Sequence, residues 1–505
     1  MMRDNVRERS IATKGRRFGM VLALLGAVSS TTLAAANPED WYALYIGGNK
    51  VGYLRVGATP LKHQGENYVR VNYEMVLKFQ RENDSISITQ RYGTIETPEG
   101  AVLKLDSRAL TGKDEMRAYG DVVDGKMDFA FEVGGKTSHK EIAWADDVRG
   151  PYGAELSLER NPLKPGETRS VKIFIPQLNE ICVDEMTAKE KEEVVIGGRK
   201  ENLLRVEVKG KKLDGKAQTL LDQTIWIDDK GKIGKSFTDT FGGFTSVRTT
   251  KAFATAPSSG KPFDFNKQTL IKVAKKLPDQ DRLNAVVYRF RMRDGKPTEL
   301  FPSDARQTVT KDADEHSATI AVRAIGPNDG ETGPEKPGAE YLRANPMIDS
   351  DDPIVIGRAR EATANAKTPW EKATAIEDWV FKHIEDKNFK TAFAPATEVA
   401  RTLSGDCTEH AVLVAAMCRA SKVPARIATG LIYAEPKGGF GFHMWNEVYV
   451  NRRWVPIDAA FGQSSVDPTH IKLSDSSLEG VSPFDGLIGV EQVSNHLAID
   501  VLEVH

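Results

Sequence analysis

The chain has 505 residues, 40% hydrophobic and 28% charged, with a formal net charge of −2. That length allows two to four domains with cores of their own. The near-balance of charge, with no basic run interleaved with aromatics, argues against a nucleic-acid binder, and three cysteines are a poor disulfide framework.

Residues 1–36 differ in kind from the rest. Six basic residues between Arg3 and Arg17 precede an apolar run at 18–28, and Leu33-Ala34-Ala35-Ala36 offers small residues for cleavage. The pattern predicts a secretory signal peptide, since the apolar run is too short to span a bilayer. An uncleaved membrane anchor is the competing reading. No other segment approaches transmembrane length, so the expected product is exported, periplasmic or extracellular, with no stable membrane span after cleavage.

From 41 to about 254, strand follows strand. The runs 68–79 and 85–95 alternate, Asp124-Gly125 is a hairpin signal, and 225–233 reads as a further hairpin. Residues 37–255 are therefore expected to form a β-rich domain of one or two large antiparallel sheets. Residues 256–340 read as a linker followed by a small β-rich unit, with strands at 285–292 and 318–325. From 341 the period turns helical. Asp351-Asp352-Pro353 and Thr368-Pro369-Trp370 start helices, the second with Ala373, Ile376, Val380 and Ile384 along one face. A short helix at 395–400 and a longer one from Cys407 to about Ala420 follow. Strands come next at 426–433, from His443, and at 454–458. The Gly438 to Gly441 stretch reads as a flexible loop, with Gly439 and Phe440 placed to contact substrate. The expected fold class is α+β, with N-terminal antiparallel sheets and an α+β domain over 341–505.

The chemistry concentrates in Gly405-Asp406-Cys407-Thr408-Glu409-His410. A Cys at a helix N-terminus meets unpaired backbone N–H groups and the positive end of the dipole, both of which favour thiolate. His443 begins one strand and Asp458 ends the next, completing a nucleophile, a base and an orienter. Asp467 is a rival for the last role, but it follows a loop and Asp458 ends a strand. Cys407 and Cys418 lie about 16 Å apart along one helix and cannot bridge; Cys418 and Cys182 read as buried thiols. His410, one turn after Cys407, reads as packing beside it. Cys407, Glu409 and His410 do not share a helix face, so no metal site and no cofactor are expected. Trp445 and Glu447 share a strand face with His443, Trp445 as a shield lining the site and Glu447 as an ion-pair partner.

Residues 341–475 resemble the transglutaminase-like branch of the papain-like cysteine enzymes, in its bacterial exported form. The resemblance rests on Ser404 to Ala411, on Arg419-Ala420-Ser421-Lys422-Val423-Pro424-Ala425-Arg426, on His443-Met444-Trp445-Asn446-Glu447-Val448 and on Trp454-Val455-Pro456-Ile457-Asp458. It implies a helical layer over an antiparallel sheet and a Cys407-His443-Asp458 triad acting on amides through a thioester, by hydrolysis or by acyl transfer. It also implies a role for Trp370, whose indole could support the oxyanion; packing at the start of its helix is the other reading. One departure is Ala459-Ala460, where such enzymes have Pro-Thr after the Asp. The implied partner is a protein or peptide, with cell-envelope components among the candidates. The alternative is a non-catalytic envelope binding or scaffold protein with a vestigial triad.

Overall fold

The structure, a computed structural model, describes residues 39–505 apart from 480–491 and short breaks at 82–83, 112–113, 177, 179, 241, 259, 261, 279–282, 330–332, 334–335, 390–392 and 494–495. The signal peptide expected over 1–36 lies outside the described residues. Among those residues no helix is long and apolar enough to cross a membrane.

The α+β expectation does not hold: strand makes up 49% and helix 18%, so the fold is mostly β. The reason is one of extent. The packed helices lie between 353 and 420, with Gly153–Arg160 and a few single turns elsewhere, whereas strands run through most of the chain on either side.

The largest element is a 15-stranded sheet whose order runs from β8 (Lys136–Ala143) back to β1 (Asp40–Ile46), then from β15 (Phe244–Thr249) down to β9 (Val148–Arg149). β1 and β15 pair antiparallel, Trp41 opposite Thr249, and fuse two meanders into one surface. A sheet this wide does not stay open and flat. Its outer strands, β8 and β9, are consecutive in the chain and separated only by residues 144–147. Such a connection reaches no more than about 19 Å, so the sheet curls until its two edges stand near each other. The inward face is built by alternation. In β3 (Glu66–Arg81) it presents Met75, Leu77, Phe79 and Arg81, and in β4 (Asp84–Glu96) Ile86, Ile88 and Gln90.

Four helices, Pro353–Ala362, Pro369–His383, Ala396–Thr402 and Cys407–Ala420, pack together with the last at the centre. That helix is buried continuously from Glu409 to Arg419, in keeping with a sequence apolar on nearly every side. It lies on a five-stranded sheet in which β21 (Gly439–Val450) is flanked by β16 (Ile271–Lys272) and β20 (Ala425–Ala434), with β23 (Ile471–Ser476) beyond β20 and β22 (Arg453–Ile457) also on β21. A four-stranded sheet joins β17 (Ala285–Met292), β18 (Gln307–Lys311) and β19 (Ser317–Arg323) to β24 (Leu497–Val504). The small β unit thus takes its fourth strand from the far end of the chain, a pairing that local sequence does not announce.

Candidate active site

Asp406 caps the helix that begins at Cys407. Its Oδ1 accepts from Thr408 N at 2.8 Å, and the Glu409 carboxyl accepts from Asp406 N at 3.0 Å, closing a capping box. Gly405 makes room for this return. Its φ is +142°, and a Cβ there would stand 2.4 Å from Glu409 Cγ. Glu409 also accepts from the N–H groups of Phe393 and Ala394, at 3.2 and 3.1 Å. Burial, with the Asp406 carboxyl beside it, pushes its pKa well above the usual carboxylate range. Cys407, the first residue of this anchored helix, is half-buried, and Cys182 and Cys418 are buried free thiols. Burial pushes the latter two up to about 11 and 12.

His443 sits in β21 opposite Gly430 of β20. A Cβ on Gly430 would lie 2.0 Å from the Ile471 carbonyl oxygen, so this close approach of strands behind the His excludes any side chain. His443 Nε2 is 2.6 Å from Asp458 Oδ2, and His443 shares a cavity wall with Cys407. Burial alone would lower its pKa; the Asp458 carboxylate outweighs that and, with Cys407, raises it to about 9. Asp458 closes β22. Its Oδ1 accepts from Ala460 N at 2.8 Å, and its backbone pairs both ways with Gln463, so the turn through Ala459-Ala460 stays closed without Pro-Thr. Burial works against its charge, but His443 and His470 hold its pKa below the usual carboxylate range.

Residues 356–459 match the family model of the transglutaminase-like superfamily. This region is a transglutaminase-like domain. Kyphoscoliosis peptidase of Homo sapiens is 27% identical over 213 residues, 34% of this chain and 30% of that protein. The chain thus spans under a third of that relative's length. A β-barrel-like protein with a domain of unknown function from Brucella abortus aligns over 42% of this chain and 96% of its own, at 13% identity and a TM-score of 0.30. The periplasmic domain of TgpA from Pseudomonas aeruginosa aligns over 36% and 91%, at 15% identity and a TM-score of 0.22.

Within the transglutaminase-like domain, Cys407, His443 and Asp458 come together, while other expected site residues stand elsewhere. Trp370 is at the wrong end. Lys372, two residues on, reaches the Ser421 carbonyl at 3.5 Å. Ser421 caps the C-terminus of the helix that Cys407 begins, about 20 Å away for 14 residues. Trp370 packs against the helical core instead. Gly439 and Phe440 form no loop, because both are in β21, paired to β16 and β20. Phe440 is buried against Tyr288 and Tyr433, with ring centroids 5.6 and 5.5 Å away. Trp445 is buried behind the base, its ring nearly parallel to His443 at 6.2 Å. Asp467 lies one layer further back, 3.6 Å from His470 Nδ1. Glu447 does pair, with Arg426 at 2.7 Å and Lys472 at 3.0 Å. His410 bonds the Asp406 carbonyl at 2.7 Å through Nδ1, and burial lowers its pKa.

Three neighbours of the site have no signal in local sequence. His470, fully buried, puts its Nε2 3.0 Å from the same Asp458 Oδ2 that His443 uses. Phe461, 53% exposed, stands edge-on to His443 at 5.1 Å. Arg81 arrives from β3 to meet Asp406 at 2.9 Å. His443, Asp458 and His470 could together hold a metal ion, but as they stand both imidazoles are spent on one carboxylate oxygen.

Proposed function

We propose that the chain is a cysteine-dependent amide hydrolase or acyl transferase, with Cys407 as nucleophile, His443 as acid and base and Asp458 as orienter. The observation that carries this reading is His443, its Nε2 2.6 Å from Asp458 Oδ2, on the wall of the same cavity that Cys407 lines from the N-terminus of its helix. In this mechanism the Cys407 sulfur adds to an amide carbonyl. The N–H of Cys407, at the first position of its helix and without an intrahelical acceptor, faces the developing oxyanion. His443 gives its proton to the departing amine, leaving a thioester. Water then completes hydrolysis, or a second amine completes transfer. Asp458 keeps the imidazole in the orientation that serves both halves. The substrates are proteins or peptides in this reading, met outside the cytoplasm if residues 1–36 direct export.

The test is trapping. The purified chain is incubated with peptide and protein amides, and Cys407 is examined by mass spectrometry for an acyl adduct while amine release is followed. Cys407→Ala should lose adduct and release together. Full turnover by Cys407→Ala on a verified substrate would end this reading.

A further inference from the structure

The cleft at Cys407 continues into a cavity of about 540 Å³, well within the range of small-molecule sites. Cys407, Thr408 and His443 belong to its wall. Facing them is the inward side of the curled sheet, with Met75, Leu77 and Phe79 of β3 and Ile86 and Ile88 of β4. β3 and β4 are each hydrogen-bonded along both edges, so their backbone groups are occupied within the sheet. A peptide main chain drawn into this space would bury amides facing such a wall. A hydrocarbon chain brings no such groups. Among the described residues the wall also carries the uncharged polar side chains of Gln90, Ser107, Thr238, Thr240 and Thr429, and its guanidinium groups are already engaged, Arg81 with Asp406 at 2.9 Å and Arg117 with Asp106 at 3.0 Å. Met75, Met116 and Met444 add flexible, polarisable surface that adapts to a chain of variable shape.

We propose that this cavity receives a long unbranched acyl chain whose carbonyl lies at Cys407, so that the substrate is an amine or peptide N-acylated with a hydrocarbon chain. The proposal deepens the catalytic reading above and rests on it for the reaction, though not for the binding. The Cys407 sulfur bonds to the acyl carbon as the C–N bond breaks, and the amine leaves with the proton from His443. Water then cleaves the S–C bond, giving the free carboxylic acid and restoring the thiol.

Two measurements on the full chain test it. Wild type is assayed on p-nitroanilides of straight-chain acids from acetyl to dodecanoyl, and on an acetylated Leu-Leu-Phe p-nitroanilide. Calorimetry on Cys407→Ala compares dodecanamide with acetamide. We expect kcat/KM to rise about fourfold per added methylene until the cavity is filled, and dodecanamide alone to bind. Ala118→Phe, and the milder Ala109→Leu, both on the cavity wall, should cut the dodecanoyl rate at least tenfold in variants whose thermal unfolding shows them folded. A flat chain-length series, or preference for the peptide anilide over the dodecanoyl one, overturns the proposal and leaves Cys407 as nucleophile. Dodecanamide binding with no turnover at any length supports the cavity assignment and removes the enzyme reading.

Discussion

Arg81 and Asp406 meet at 2.9 Å and join β3 of the curled sheet to the cap of the helix that begins at Cys407. The carboxylate side chain is 5% exposed and the guanidinium 22%. The same Arg81 lies over the Phe389 ring, 4.3 Å from its centroid, and Asp84, its partner at the start of β4, accepts from Phe389 N at 2.9 Å. These contacts fasten the wall of the cavity to the nucleophile.

Arg81→Ala should therefore destabilise the chain. It leaves Asp406 buried without its cation, a situation that costs several kcal/mol when both partners are fully buried. Partial exposure of Arg81 screens the pair, so the expected loss is about 1–3 kcal/mol. Urea unfolding reads it directly, and an unchanged midpoint would show that the Arg81–Asp406 pair adds nothing to the junction.

The pH dependence of catalysis follows from His443. Held up to about 9 by Asp458 and Cys407, the imidazole keeps the proton that the leaving amine needs through neutral pH. Activity should fall as pH rises through about 9, read as an apparent value of the Cys–His pair. Asp458→Asn removes the main cause of the elevation, so its alkaline limb should move down towards the ordinary His value of about 6.5. The sign for stability matches. A raised His pKa stabilises fully below about 6.5, and that contribution is lost as pH rises through about 9. A pH series of kcat/KM on both proteins decides this; superimposable alkaline limbs would contradict the role given to Asp458.

The parts of this site that were readable in sequence are those set by short-range rules. Asp406-Cys407-Thr408-Glu409 writes a capping box, and a Cys after such a cap must sit at a helix mouth. His443 falls on a run that reads as a strand, and Asp458 directly follows another. Phe440 misled because Gly438 to Gly441 looks like a loop, while β16 and β20 on either side hold it as strand. Trp370 misled because spacing along the chain does not say which end of the central helix its own helix meets. His470 and Arg81 depend on pairings between residues 12 and 325 positions apart, beyond any local pattern. The α+β expectation failed in the same way. Several hairpins were visible one by one, but not that strand so far outweighs helix along the chain.

His470 should act as a positioning residue. It shares Asp458 Oδ2 with His443 and gives that carboxylate a second buried hydrogen-bond partner. His470→Gln should lower kcat by about tenfold to a hundredfold, the scale of a misplaced catalytic group, with KM little changed. A purely structural role would instead lower stability and leave kcat per folded molecule intact. Steady-state kinetics beside a thermal melt separate the two.

The last expectation concerns Glu377, on the Pro369–His383 helix. Its Oε2 accepts from Ser464 Oγ at 2.6 Å, and its Oε1 is buried without a hydrogen-bond partner among the described residues. Burial, and then the nearby Asp458 charge, raise its pKa from the ordinary 4.5 to about 7, against the opposing Ser464 bond. Between those two values the folded chain holds a proton that the unfolded chain has lost. Stability from this group must then fall as pH rises from 4.5 to about 7, and the penalty is complete above 7. Glu377→Gln keeps the shape and the acceptor but cannot ionise. It should match wild type near pH 4.5 and be more stable at pH 8 by on the order of 2 kcal/mol. Denaturant unfolding of both proteins at pH 5 and pH 8 measures the difference. A gap that stays constant with pH would mean that Glu377 ionises in the folded chain as it does in water, and one that turns towards wild type at pH 8 would mean that folding favours its charge; either contradicts the raised value.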